Sequence, residues 1–415
     1  MMKRRCRIVD LFCGCGGAVG MRKSFRFVDI FAAPGGLSLG FKMAGFRVSA
    51  GVDIDRDGLR TFSHNFPNAT VLCRNAQSLD GQELLDALRL SKGEIDVIGG
   101  GPPCQGFSTV GRVKIASLVR NGVWKLQNGN PRLIDDPRNL LYKEFIRLVR
   151  DCAPKFFVME NVKGMASYRN GELMEEIRKE FEAAGYAADC KLLDAAEFGV
   201  PQHRKRFFFI GNRLGLQNPF PRMLQQIHSN CNDAISVWDA IGDLPRLRAG
   251  KGEEMMDYVK PAFHIYQDWA RAGASHVFNH VARPHTSRDL ETFKFMRPGD
   301  KWKDLPRKYR DMYGYRNDIF QDKFKRLWKN KPAWTVTAHL CKDGYVYIHP
   351  TQSRTITVRE AARLQSFPDR FVFRGPRSSQ FKQVGNAVPP LMVRAVAFRL
   401  KEVLRDYYCT STTAN

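Results

Sequence analysis

The chain has 415 residues, 43% of them hydrophobic, which is enough to bury a large core in two or three domains or in one enlarged domain. Its 66 Lys and Arg against 42 Asp and Glu leave a net charge of +24, which argues against an enzyme of small neutral metabolites and for a polyphosphate partner, nucleic acid first. The ten cysteines form no regular CxxC pairs, and neither a signal peptide nor a long apolar run opens the sequence. A reducing cytoplasm is therefore expected, without disulfides or membrane attachment.

The first element, "RIVDLFCGCGGAVG" from Arg7, reads as a buried strand running into a glycine-rich turn, and "RFVDIFAAPGGLSLG" from Arg26 repeats it. Short apolar runs then alternate with amphipathic stretches: "FRVSAGVD", "IDVIGGG", "KFFVMENV" and "KRFFFIG" read as strands between helices. This alternation predicts a doubly wound α/β sheet. From about Leu214 to Gln352 the rhythm fails and Pro, Arg and aromatic residues rise, which predicts a second domain. The tail "PPLMVRAVAFRLKEVLRDYY" places apolar residues at Met392, Val396, Leu400, Val403 and Tyr407, a helical spacing expected to pack back on the first domain. The lone CxC at Cys13 and Cys15 and the cluster His276, His280 and His285 lack a second ligand pair at a familiar spacing, so no metal site is expected.

The two glycine turns are not equivalent. A turn of this kind between strand and helix lets a ligand approach the backbone, and a carboxylate at the tip of the next strand can accept hydrogen bonds from ribose hydroxyls. From Asp29 the next strand ends 24 positions on at Asp53, whereas the same count from Asp10 lands on Pro34. The working loop is therefore Ala32 to Gly36, and "APGG" with Asp53 suits an adenosine-bearing ligand. Asp29 itself is expected to hold the turn. Met21 precedes a short basic lead into the working strand, so the duplicate turn within residues 1–26 is expected to be dispensable. An internal duplication, an over-long reading frame and a joined remnant of a related gene all account for it.

The most specific stretch is "GGGPPCQGFS". Two prolines stiffen the backbone before Cys104 and aim its sulfur from a turn at the sheet edge, a suitable place for a nucleophile. A thiol with a reference pKa of about 8.5 needs a lowered pKa or proton transfer to react near neutrality. "FFVMENV" brings Glu160 to the same expected edge, and "PQHRKRFFFIG" brings Arg204 and Arg206. A buried inert cysteine is the alternative reading, and it weakens with each of these groups.

In order, "DIFAAPGG", "GGGPPCQGFS", "MENV", "QHRKR", "RLQSFP" and "GNAVPP" resemble the cytosine-5 DNA methyltransferases from Phe27 to about Leu400. The resemblance implies a Rossmann-like methyltransferase domain using S-adenosylmethionine, with a smaller target-recognition domain across a DNA cleft. It divides the chain into an extension (1–26), a catalytic and cofactor-binding domain (27–212), a recognition domain (213–352) and a segment returning to the catalytic domain (353–415). It assigns Cys104 to attack carbon 6 of a flipped-out cytosine, Glu160 to the exocyclic amine and ring nitrogen 3, and Arg206 to the ring oxygen. Arg204 would help position the thiolate side or the backbone. Cofactor contacts carry over to Phe31, Ala33, Pro34, Gly35, Gly36, Asp53, Ile54, Asn75, Pro103, Leu141, Asn386 and Ala387.

Three of those positions depart from the family pattern. Ala33 stands in the glycine turn, Ile54 where relatives often stack an aromatic on adenine, and Asn75 where an acidic residue would meet the adenine amino group. Weakened or rearranged cofactor contacts are the consequence to test. The segment from Gln105 to Asp135 suits a lid over DNA, with a surface insertion as its alternative. "KWKDLPRKYRDMYGYRN" and "QDKFKRLWKNKPAW" interleave basic and aromatic residues, as phosphate contact requires. Double-stranded DNA is the expected partner, with a cognate restriction endonuclease implied at family level, no membrane, and a monomer. A transfer-RNA cytosine methyltransferase, a non-catalytic DNA-binding protein of the same fold and an NAD-dependent oxidoreductase are the competing readings.

Overall fold

The structure is a computed structural model that describes residues 24–103, 140–222, 234–315 and 323–413. The duplicate glycine turn, Cys104 and the long segment after it lie outside the described residues. The described chain forms two compact units, divided after Asp194, Arg204, Arg222 and Leu391.

The first unit is built on seven strands: β1 (Arg26–Ile30), β2 (Arg47–Asp53), β3 (Thr70–Cys73), β4 (Val97–Gly100), β5 (Phe156–Val162), β6 (Ala187–Asp194) and β7 (Lys205–Asn212). Their order is β3-β2-β1-β4-β5-β7-β6. Neighbours are parallel except that β7 runs against both β5 and β6. The helices are α1 (Gly36–Met43), α2 (Arg56–Asn65), α3 (Gly81–Leu88), α4 (Leu141–Cys152) and α5 (Glu172–Ala183). The central strands are apolar on both faces because helices cover both, so they read as continuous runs rather than alternations. Val28, Ile30, Val52, Ile98, Phe145, Phe157 and Phe181 share one buried core, with the Phe157 and Phe181 rings stacked at 3.8 Å. Asp55 and Asp80 cap α2 and α3 by accepting from the Gly58 and Gln82 amides, which satisfies donors that a helix start leaves open.

The second unit takes Ala195–Arg204 and the chain up to Leu391. It contains α6 (Val237–Ile241), the antiparallel pair β8 (Gly252–Met256) and β9 (Val277–Val281), α7 (Ile265–Arg271), α8 (Ser287–Phe295), α9 (Arg307–Asp311), α10 (Val358–Leu364) and α11 (Arg377–Asn386). Phe293, Met296, Trp302, Leu305, Tyr309, Phe324 and Ile348 form a separate, largely aromatic core in it. The expected return to the first domain at residue 353 falls instead after Leu391, because Arg354, Arg359 and Arg363 are buried in the second unit with their carboxylate and carbonyl partners. The terminal helix α12 (Pro390–Thr413) then packs on the first sheet: Lys401 donates to the Ala44 carbonyl at 2.7 Å and Tyr408 to Asp96 at 2.9 Å. Among the described residues no helix is long and apolar enough to cross a membrane.

Candidate active site

The chain builds outward from β1 to β2 and β3 on one side and from β4 to β5 on the other, so the strand order reverses between β1 and β4. The carboxyl ends of strands at such a reversal leave a crevice where ligands bind in open α/β sheets. After β1, Phe31 takes a left-handed φ of 66°. The Ala32 amide then donates to the Val52 carbonyl and the Ala33 amide to Asp53 Oδ2, each at 3.0 Å. Gly35, at φ 110°, starts α1, and a Cβ there would stand 2.6 Å from the Phe66 ring. Ala33 fits because its neighbour is glycine: a Cβ on Gly58 would lie 2.4 Å from the Ala33 methyl.

Asp53 ends β2 with Oδ2 on the Ala33 amide and Oδ1 on the Asp55 amide at 2.8 Å. Burial pushes its carboxyl up, opposed by these hydrogen bonds. Each carboxylate oxygen has a second lone pair that can accept a ribose hydroxyl. Ile54, next along, is 68% exposed, an apolar side chain left open beside that carboxylate. Asn75 is exposed and closes its own turn, accepting from the Gln77 amide at 3.1 Å. Leu141 opens α4 half-buried, and Pro103 is exposed at the end of the run following β4. A turn of small residues, a carboxylate at the strand tip and an open apolar face together fit S-adenosylmethionine.

Below that loop Asp29 is fully buried on β1, with Oδ2 accepting from the Ser38 amide at 3.1 Å and from its hydroxyl at 2.6 Å. It thereby fastens the start of α1 to the strand. Burial pushes its carboxyl up to about 7, against the two Ser38 bonds. Since the folded value lies above that of the free side chain, its contribution to stability is complete below about pH 4 and is lost as pH rises to about 7. Asp29→Asn keeps an acceptor for Ser38 and cannot ionise. We expect urea midpoints of the variant and the parent to diverge in the variant's favour between pH 5 and pH 8, by on the order of a few kcal/mol. A constant difference across that range would mean that Asp29 stays ionised.

Glu160 sits on β5 and Arg206 on β7. Antiparallel pairing sets Glu160 opposite Phe208 and Val162 opposite Arg206, so Glu160 and Arg206 are diagonal neighbours on one face. Arg206 Nε lies 2.9 Å from Glu160 Oε1, and Glu160 is only 9% exposed. Burial lowers the Arg206 guanidinium pKa, and the adjacent carboxylate opposes that. The other carboxylate oxygen faces the run that leaves β4: a Cβ on Gly101 would stand 3.1 Å from Glu160 Oε2. Asn161 reaches the same run, donating to the Pro102 carbonyl at 3.5 Å. Sequence reasoning missed Gly101 and Asn161, although both stand in stretches that it singled out.

Arg204, Asn386 and Ala387 belong to the second unit. Arg204 is buried and donates to the Val336 carbonyl at 2.7 Å and the Gly385 carbonyl at 3.2 Å. Gln202 accepts from the Val336 amide at 2.6 Å and donates to Gln365 Oε1 at 2.8 Å, and Gln365 in turn donates to Val384 and Ala387 carbonyls. Asn386 is exposed at the end of α11, with Ala387 buried behind it as the cap. "PQHRKR", "AWTVTAH", "RLQSFP" and "VGNAVPP" thus share one buried hydrogen-bond network. Gln202 and Gln365 are its hubs, and their only advance signal was their place inside quoted motifs.

The strand order, the single reversed strand and the loop at the β1/β4 crevice define a Rossmann-like, S-adenosylmethionine-dependent methyltransferase. More particularly, the chain belongs to the C-5 cytosine-specific DNA methylase family, whose sequence model matches residues 25–402, and its enzyme class is DNA (cytosine-5-)-methyltransferase. It is 38% identical to the type II methyltransferase M1.HphI of Haemophilus parahaemolyticus over 90% of this chain and 86% of that protein. It is 36% identical to M.DdeI of Desulfomicrobium norvegicum over 90% and 88%. A solved E. coli structure, described as a prophage-encoded DNA modification methyltransferase, superposes with a TM-score of 0.70 at 26% identity, covering 92% of this chain and all of that one.

Proposed function

We propose that this protein transfers a methyl group from S-adenosylmethionine to carbon 5 of a flipped-out cytosine in a specific duplex sequence. It would do so through a covalent Cys104 adduct, in the cytoplasm, as the modification enzyme paired with a restriction endonuclease. The observation that carries this reading is Glu160, with one oxygen on Arg206 and the other against Gly101, three residues before Cys104. When bound, S-adenosylmethionine supplies an electrophilic methyl. Asp53, Ile54, Asn75, Phe31, Ala33 to Gly36, Pro103, Leu141, Asn386 and Ala387 are the residues proposed to hold it.

Carbon 5 of cytosine is a poor nucleophile until the Cys104 thiolate adds at carbon 6 and turns the ring into an enamine. Negative charge would then collect at ring nitrogen 3, and Glu160 relieves it by giving a proton or a hydrogen bond there. Once carbon 5 carries the methyl, loss of its proton to a base and elimination of the Cys104 thiolate break the carbon 6–sulfur bond and release methylcytosine. Arg206 keeps Glu160 oriented through Nε and retains further N–H donors for the ring oxygen. Arg204, engaged by two carbonyls, positions the segment that leads into Arg206. Flipping the base costs a few kcal/mol, which contacts to the displaced duplex offset.

The test is methyl transfer from labelled S-adenosylmethionine to unmethylated duplex DNA, with transfer RNA alongside, for the full chain, a chain starting at Met21, and Cys104→Ser. Label at cytosine carbon 5 of DNA in the first two, and none in the third, is the expected result. Label on transfer RNA alone would overturn the substrate, and an active Cys104→Ser would overturn the adduct.

A further inference from the structure

Two members of the cluster His276, His280 and His285 meet a third ring, His349, along one stretch of the second unit, residues 349–357, which leads into α10. His349 Nδ1 accepts from the Thr351 amide at 3.1 Å and the Gln352 amide at 3.0 Å. His285 Nε2 accepts from the Thr355 amide at 3.2 Å. His280 Nε2 lies 2.8 Å from the Pro245 carbonyl, which can only accept, so its Nδ1 is left to accept from the Thr357 hydroxyl at 2.9 Å. All three rings therefore serve as neutral acceptors. The Thr357 hydroxyl can turn and accept instead, whereas a main-chain amide cannot. A proton on His285 Nε2 or His349 Nδ1 thus sets donor against donor and breaks the bond.

Much of the second unit is fastened to that stretch. Arg326 donates to the His349 carbonyl at 3.0 Å, Gln352 Oε1 accepts from the Leu247 amide at 2.8 Å, and Arg354 donates to both oxygens of Glu360 at 2.8 and 2.6 Å. Burial is the largest influence on the two locked rings: it holds His349 well below the ordinary range and pushes His285 down to about 4. The charges around them divide. Glu360, 3.5 Å from His349 Nε2, and Asp289 near His285 favour a proton, while Arg326, Arg354 and His280 oppose one on His349 and Arg283, Arg354 and Arg377 oppose one on His285. A folded pKa below the free-chain value of about 6.5 gives stability that is complete above that value and is lost as pH falls through it toward the folded one.

We propose that His285 and His349 are a proton-operated latch: as neutral acceptors they close residues 349–357 onto the unit, and mild acid releases the stretch and with it the unit's hold on DNA. The latch stands on these hydrogen bonds, and only its effect on DNA rests on the function proposed above. Each ring that must take up a proton on release makes release about tenfold easier per pH unit below about 6.5, so the two together give about a hundredfold.

The experiment follows hydrogen exchange of the 349–357 amides in the full chain by mass spectrometry at pH 7.5 and 5.5, with binding to a fluorescent unmethylated duplex at both and methyl transfer at pH 7.5. His285→Gln combined with His349→Asn is the comparison, because the amide oxygens stand near the places of Nε2 and Nδ1 and do not titrate. Comparing the two proteins at each pH cancels the intrinsic effect of pH on exchange. The ratio of parental to variant exchange should rise about a hundredfold from pH 7.5 to 5.5, and about tenfold for either single variant. Parental duplex affinity should fall reversibly over that range while the double variant's holds. His276→Gln, whose ring is partly exposed beside Asp257, should behave as the parent. Tryptophan fluorescence of the parent, carried in this unit by Trp238, Trp269, Trp302, Trp328 and Trp334, should change reversibly below about pH 6.5 whether or not the variants fold. A constant exchange ratio, or a parental spectrum unchanged down to pH 5, overturns the latch. A rising ratio without methyl transfer upholds the latch and overturns the function, and a rising ratio with parental duplex affinity unchanged overturns the release of DNA.

Discussion

Glu160→Gln is expected to lower methyl transfer by at least about a hundredfold while the fold and cofactor binding persist, the loss typical of removing a positioned proton donor. The amide matches the carboxyl in size, so Gly101 still has room, and its oxygen can still accept from Arg206 Nε. It cannot give up a proton at ring nitrogen 3. It also leaves the largely buried Arg206 charge without its counter-charge, and removing one partner of a buried pair costs up to about 3–5 kcal/mol. A thermal melt therefore accompanies the assay, which is single-turnover transfer of label at saturating DNA. A folded Glu160→Gln with parental single-turnover rate would remove Glu160 from the chemistry. A modest fall in transfer matched by a fall in DNA affinity would leave it a binding group.

Glu160 and Arg206 were legible in the sequence for a physical reason. Each sits in a long apolar strand bounded by turn residues, where a charged residue is conspicuous, and strand direction alone brings both to one sheet edge. Asp53 was legible by counting from the glycine turn. Two strands were not. β3 is four residues of partly exposed "TVLC", and β6, "AADCKLLD", is an outer strand whose polar and apolar residues mix because one face meets solvent. Neither shows the buried run that marks a central strand. The second unit was legible only as a change of composition. Its order comes from hydrogen bonds between residues more than a hundred positions apart, such as Gln202 with Gln365, and periodicity carries no trace of such pairs. The division after Leu391 was hidden likewise, because arginines that look solvent-facing in sequence turn out to be fully buried.

Arg363 shows how much depends on those arginines, and Arg363→Met is expected to cost the second unit about 3–5 kcal/mol at neutral pH. The guanidinium has no exposure and bridges two carboxylates, Asp243 at 2.7 Å and Asp369 at 2.6 Å, while also donating to the Ala240 carbonyl at 2.8 Å. Burial would push the Asp369 carboxyl up, but the Arg363 charge and hydrogen bonds outweigh it and hold the group below the ordinary range. A depressed folded pKa stabilises above the free-chain value, and that stability is lost as pH falls through the folded one. Without Arg363, Asp369 keeps Tyr258 at 2.6 Å and the more distant Arg359 at 3.7 Å, and Asp243 keeps Arg271 at 2.6 Å. The variant's Asp369 carboxyl should then accept a proton more readily, so its deficit should shrink as pH is lowered from 7.5 to about 4.5. Arg363→Lys should rescue little, because a single ammonium cannot present parallel donors to two carboxylates at once. Urea melts of the three proteins at both pH values, followed by tryptophan fluorescence, make the comparison. A deficit that is the same at both would mean that Arg363 acts by filling space rather than by charge.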